Sequence, residues 1–431
     1  MNRRRGFSLF ALAAASAGCA SIAGLDLDGL HEREDAGSSG GQGASGGSAS
    51  GGIGASGGTA GGATGGSGAT NSGGSAGSGG VAGSGGTCSE STTRCSGNQP
   101  QTCSGGSWTD TGSPCKAPTP TCVAGTCVTM ASCQAKGLGL DDCGTPKESC
   151  CTSLSVPGGT FKRSYDGVSF TDGTNTASVA GFKLDKYEVT VARFRSFVMA
   201  WLDGWRPADG AGRHAHLSGG SGLSNSGPTG NYEIGWDKAS WDDALPKTLS
   251  DWDTALAGNK ASWSPMPVAT DKLPINHVTW YEAYAFCIWD GGFLPSEAEW
   301  NYAAAGGNEQ RVYPFSNPAN STAVGCAQVQ HDVCQVGTGT VPVDAKSPQG
   351  DGRWSHVQLA GNVREWNLDW FAEPYAKPCS DCAYLDSKSQ RAARGGDYLN
   401  KDIAARTSVR LTAGAPGVRE GAFGIRCARV P

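Results

Sequence analysis

Apolar positions change period within residues 182–201, FKLDKYEVTVARFRSFVMAW. Phe182, Leu184, Val189 and Val191 suit a strand, whereas Phe194, Phe197, Val198 and Trp201 fall at i, i+3, i+4 and i+7 on one face of a helix. In INHVTWYEAYAFCIWDGG, Thr279 and Glu282 form a capping box before Trp280, Ala283, Tyr284, Cys287 and Ile288, which line a second one-faced helix. Ser296 with Glu299 opens a third, short helix that Gly306 and Gly307 close. The stretches between carry Gly, Asn and Pro with little periodicity. The pattern predicts one α+β domain over residues 152–431, with two or three short helices and much irregular chain.

Composition changes the picture upstream of that domain. Residues 36–86 are almost entirely Gly, Ser, Ala and Thr, which cannot bury enough apolar surface to offset the entropy of ordering. A disordered linker over 20–87 is expected, and about 50 such residues span roughly 40 Å as a flexible coil. The start, MNRRRGFSLFALAAASAGCAS, has basic Arg3, Arg4 and Arg5, a short apolar run, and small residues before Cys19. This is the form of an export signal over 1–19, too short to span a bilayer. Ser16-Ala17-Gly18-Cys19 resembles a lipobox, which implies lipidation of Cys19 and a place in the cell envelope, tied to membrane by the lipid. Cleavage near Ala20 by an ordinary signal peptidase is the other route.

Removing Cys19 from the 17 cysteines leaves 16, an even number for a chain bound for an oxidising compartment, so disulfides are expected. Ten of them, from Cys88 to Cys151, crowd into residues 88–151 among few aliphatic side chains. So small a segment needs crosslinks in place of a core. It lacks paired C-x-x-C units and any His, which argues against zinc. A net charge of −5 without a basic stripe argues against nucleic acid as a partner.

Six phrases in order then match one family: VPGGTF (156–161), FKLDKYEVTVARF (182–194), the run from 273 to 307, LAGNVREW (359–366), RGGDYL (394–399) and FGIRCAR (423–429). Together they resemble the formylglycine-generating enzymes, or sulfatase-modifying factors, over essentially all of 152–431. The resemblance implies a C-type-lectin-like variant fold, low in regular secondary structure. The layout of lipobox, tether and Cys-rich segment is similar to exported myxobacterial members. Active members oxidise a sulfatase cysteine to formylglycine with copper held by two thiolates, a soft-ligand pair suited to Cu(I). Carried onto this chain, the two ligand positions are Asn400 and Ala405, and the preceding Ser is Asp397. Copper is therefore not expected.

The resemblance also implies one structural calcium, held by Gln358, the carbonyls of Gly361 and Val363, and the carboxylate of Glu365, a set of hard oxygens. Arg364 stands where the family has its first Trp, and Glu365 paired with Arg364 or a neighbour as a plain salt bridge is the competing reading. Cys287 and Cys427 match a family disulfide, while the other family pair falls on Ala304 and about Arg410. Cys326 with Cys334 and Cys379 with Cys382 are local candidates. His214 and His216, in a Gly- and Ser-rich loop, are expected to be solvated rather than metal-binding.

Two functions compete. One is a monomeric binding module for a protein or glycan ligand, displayed on a tether. The other is an extracytoplasmic enzyme with altered oxidative or acid/base chemistry, for which Asp397, Asn400 and Lys401 are the candidate catalytic residues, since a carboxylate beside a Lys in a cleft can move protons. Related exported members in siderophore maturation, which lack the copper thiolates, make the second worth weighing.

Overall fold

The computed structural model describes residues 88–96, 99–115, 121–123, 125–128, 130–335 and 339–431. The expectations for the leader with Cys19 and for the linker over 20–87 lie outside them. The described residues form five short α-helices: α1 (Val191–Leu202), α2 (Lys238–Trp241), α3 (Leu249–Ala255), α4 (Trp280–Trp289) and α5 (Glu297–Ala304). The strands are short too and fall into several small sheets. The class is α+β with little regular secondary structure.

Local signals set the helices. Thr190 caps α1 by accepting the Arg193 N–H, and the stripe from Phe194 to Trp201 is buried. Val191 opens this helix instead of ending a strand, because Thr190 Oγ1 accepts the Arg193 N–H, one of the first-turn amides that a helix leaves without an internal partner. The capping boxes at Thr279/Glu282 and Ser296/Glu299 start α4 and α5 where expected. Gly306 follows α5 at φ 66°, a left-handed position that favours Gly. Helix α3, capped by Thr248 and Asp251, escapes a periodicity reading because it is mostly polar and buries mainly Trp252.

Phe194 and Phe197 of α1 pack against Trp252 of α3 and Phe286 of α4, and Phe197 also meets Trp289, at ring separations of 5.8–6.1 Å. The four-stranded sheet lies beside this aromatic core. Its central strand, Arg364–Trp370, runs antiparallel to Arg391–Arg394 and parallel to Phe423–Gly424. Cys287 and Cys427 are bonded across 140 residues, which constrains the unfolded chain by about 5 kcal/mol in the chain-entropy model. Cys326–Cys334 and Cys379–Cys382 form as local pairs.

The end of the Cys-rich segment is docked on the globular part. Cys133–Cys151 and Cys143–Cys150 staple it, and Cys143 and Cys150 share a buried cluster with Tyr187, Val343 and Val357. Arg193 donates to Ser132 Oγ and the Cys150 carbonyl while also pairing with buried Asp185 and Asp290. Arg429 bridges the same two carboxylates from the C-terminal strand. No helix among the described residues is long and apolar enough to cross a membrane.

Candidate functional site

The segment 394–411 leaves the strand Arg391–Arg394, turns at Gly395 and Gly396, and passes through a 3-10 turn at Asp402–Ala405. Gly396 has φ 67°, and a Cβ there would stand 2.8 Å from the Ala404 carbonyl carbon. Glycine lets the loop fold back onto its own turn.

Asp397 is 1% exposed. Its carboxylate accepts from Arg364 Nε at 2.6 Å and from the Leu399 N–H at 2.7 Å. The Arg364 guanidinium also lies over the Phe423 ring, 4.8 Å from its centroid. Arg364 therefore pairs with Asp397 and not with Glu365. The two departures from the family phrases, one positive and one negative, meet as a buried ion pair. That complementarity of sign was the available signal.

Asn400 is buried, its carbonyl accepts the Asp332 N–H at 3.0 Å, and its side-chain Oδ1 is buried without a hydrogen-bond partner. Ala405 packs in an apolar cluster with Val312, Tyr313, Val329 and Ala360. Lys401 is exposed. The three candidate catalytic residues thus divide: Asp397 and Asn400 face inward, and Lys401 faces solvent.

The proposed calcium ligands are close in sequence but partly committed. Glu365 accepts from Arg426 Nε at 2.8 and 3.0 Å and from Trp300 Nε1 at 2.5 Å. Gln358 donates Nε2 to the Pro342 carbonyl, and its buried Oε1 has no hydrogen-bond partner. Nearby Glu188 accepts from Asn362 Nδ2. Burial pushes its carboxyl well above the usual range, and Glu365 adds to this against the pull of Arg426. An orphaned oxygen and an excess of buried carboxylate are features that a bound cation relieves.

His214 corrects the expectation of a solvated loop. It is 0% exposed, and its ring lies between Glu233, 3.0 Å from Nδ1, and Glu299, 3.0 Å from Nε2. Burial works to lower its pKa, but the two carboxylates raise it to about 10. The imidazolium clamps the 214–233 loop to the first turn of α5. His216 is part-buried, stacked on Phe293, with neither ring nitrogen hydrogen-bonded. A Gly- and Ser-rich composition resembles solvated loop, so only the fold reveals this ion pair.

A second charged cluster surrounds Arg410 and the buried Glu297 of α5. Arg410 grips Glu297 with two hydrogen bonds of 2.7 and 2.8 Å, and Arg394 adds another at 2.9 Å. Burial alone would raise the Glu297 carboxyl, but Arg410 and Arg394 hold it below its usual range. Burial raises Asp369, which Glu297 pushes further. An ion pair thus ties α5 to the segment around residue 410.

The family model described as FGE-sulfatase, the sulfatase-modifying factor enzyme 1-like domain, matches residues 142–431. The chain is 30% identical over 313 residues to the formylglycine-generating enzyme of Thermomonospora curvata, covering 67% of this chain and 96% of that protein. It is 27% identical over 300 residues to the inactive C-alpha-formylglycine-generating enzyme 2 of Bos taurus, covering 64% of this chain and 87% of that one. Among solved structures, PvdO from Pseudomonas aeruginosa superposes with a TM-score of 0.44 at 20% identity, over 69% of this chain and 100% of the other. The family model covers residues 142–431, well over half of the chain, so the chain belongs to the sulfatase-modifying factor enzyme 1-like family.

Proposed function

We propose that this chain is an exported protein, lipid-anchored through Cys19, that displays its family domain as a monomeric binding module without the copper oxidase chemistry. The observation that carries the reading is the state of positions 400 and 405. Asn400 offers a neutral amide and Ala405 a methyl group packed in an apolar cluster, and neither replaces a thiolate for a soft ion. The proposal keeps a leader at 1–19, a linker at 20–87, a Cys-rich segment at 88–151 and a C-type-lectin-like domain at 152–431. The disulfide bonding of the cysteines supports an oxidising compartment such as the cell envelope. One structural calcium, on Gln358, Gly361, Val363 and Glu365, is part of the same reading and is supported by the orphaned Gln358 Oε1.

The binding face we assign joins two loops. Asp332 N–H donates to the Asn400 carbonyl and Gln335 Nε2 to the Tyr398 carbonyl, so Val333, 77% exposed, and Leu399, 38% exposed, stand on tied segments. Against the enzymatic alternative stand the capture of Asp397 by Arg364 and the exposure of Lys401.

The test combines three arms. A fatty-acid probe should label the chain in cells and fail on Cys19→Ser. Purified protein with copper, oxygen and a sulfatase-type cysteine peptide should yield no aldehyde by mass spectrometry. Glycan and peptide arrays should give ligands whose binding is lost in Val333→Asp and Leu399→Asp. Copper-dependent aldehyde formation overturns the reading, and array binding indifferent to both substitutions overturns the assigned face.

A further inference from the structure

Residues 326–334 bring two sulfurs and an imidazole to one point. Cys326 Sγ, Cys334 Sγ and a ring nitrogen of His331 lie within 4.8 Å of one another. The sulfurs are joined as a disulfide. Cys334 and His331 are buried, whereas Cys326 is exposed, the one exposed cysteine among the described side chains. Thiol exchange requires access to a sulfur. Among the described disulfides, this is the one with an exposed cysteine residue, which favours its reduction.

The turn does not depend on the sulfur bond alone. The Cys334 N–H donates to the His331 carbonyl, Gln330 Nε2 donates to the Cys334 and Gly339 carbonyls, and Lys346 Nζ donates to the Cys326 carbonyl. Asp332 N–H holds the other side to Asn400. The ligand-bearing backbone is therefore also held by hydrogen bonds that do not involve the sulfurs. His331 Nδ1 lies 2.9 Å from Asp332 Oδ1. With Nδ1 donating to that carboxylate, Nε2 keeps a lone pair, the arrangement by which a carboxylate orients a metal-binding imidazole.

We propose that reduction of Cys326–Cys334 converts this turn into a Cu(I) site built from two thiolates and the His331 imidazole. A small-molecule thiol supplies the two electrons: two RSH and the disulfide give RSSR, Cys326–SH and Cys334–SH. Cu(I) then displaces both thiol protons and forms two Cu–S bonds. Thiolate softness selects monovalent copper. Zinc held by three protein ligands needs a water in its fourth position, whereas two thiolates and one imidazole, the three members of this cluster, complete a Cu(I) site. The disulfide thus acts as a redox gate: closed under oxidising conditions, a metal site when reduced. The site is separate from positions 400 and 405 and borrows no ligand from them.

The experiment treats the full chain anaerobically with dithiothreitol, removes the reagent and titrates Cu(I) against bicinchoninic acid. Alkylation mapping should find Cys326 and Cys334 freed first, with the Trp-rich core's near-UV circular dichroism unchanged. A single tight Cu(I) should appear on reduction, be absent from the oxidised chain, and disappear in Cys326→Ser and Cys334→Ser. Asp332→Asn, which keeps all three ligands, should weaken binding by about ten- to a hundredfold. The proposal is overturned if chain with both thiols shown free binds no Cu(I), if binding survives in the serine variants, if zinc is preferred, or if other disulfides open first.

Discussion

Replacing His214 with Gln should flatten the pH dependence of stability on the alkaline side. The side chain is fully buried between Glu233 and Glu299, each 3.0 Å from a ring nitrogen. Its pKa rises from 6.5 to about 10, because the two carboxylates outweigh a burial effect that works downward. The unfolded imidazole releases its proton near its ordinary value, and the folded one retains it to about pH 10. The stabilisation is therefore complete below the unfolded pKa and is lost as pH rises through the folded one. Between about pH 7.5 and about pH 9 the unfolded chain holds one proton fewer at this site, so stability should fall by about 1.4 kcal/mol per pH unit. Over that window the loss is about 2 kcal/mol. Urea unfolding followed by Trp fluorescence, with disulfides intact, measures it at several pH values. Subtracting the His214→Gln curve removes the contribution of other titrating groups. At neutral pH the variant should also be less stable by about 3–5 kcal/mol, since two buried carboxylates lose their shared cation. A difference curve that stays level across the window would refute the clamp.

Removing the cation of the Arg364–Asp397 pair, as in Arg364→Leu, leaves Asp397 buried with one backbone donor and should cost about 3–5 kcal/mol. Thermal unfolding decides it, with Arg364→Trp plus Asp397→Ser expected to recover most of the loss; a single variant as stable as wild type would show the pair to be incidental. Stripping divalent ions with a chelator should lower the melting temperature, because binding to the native state stabilises it by mass action. Restoring calcium should reverse this, except in Gln358→Leu, and an unchanged melting curve in chelator would remove calcium from the reading.

What the sequence determined by itself is local. Helix α1 was legible from its apolar stripe, α4 from a capping box with a stripe, and α5 from a capping box with closing glycines, signals that each lie within a few residues of one another. Helix α3 was not, because a short polar segment that buries one Trp gives no stripe. The ordered phrases also located the segment 394–411, and that Asn400 and Ala405 carry no sulfur needs no coordinates. Tertiary structure alone decided which charges are buried and with whom. It put His214 between carboxylates 19 and 85 residues away, joined Arg364 to Asp397 across 33 residues, and set Arg410 on Glu297 across 113. It also docked the Cys-rich end against Arg193 and Asp290. The physical reason is that caps and stripes depend on backbone geometry within a turn or two. Burial and ion pairing depend on which distant segments share a low-dielectric interior, and a Gly-rich loop around a buried His has the composition of one around a solvated His.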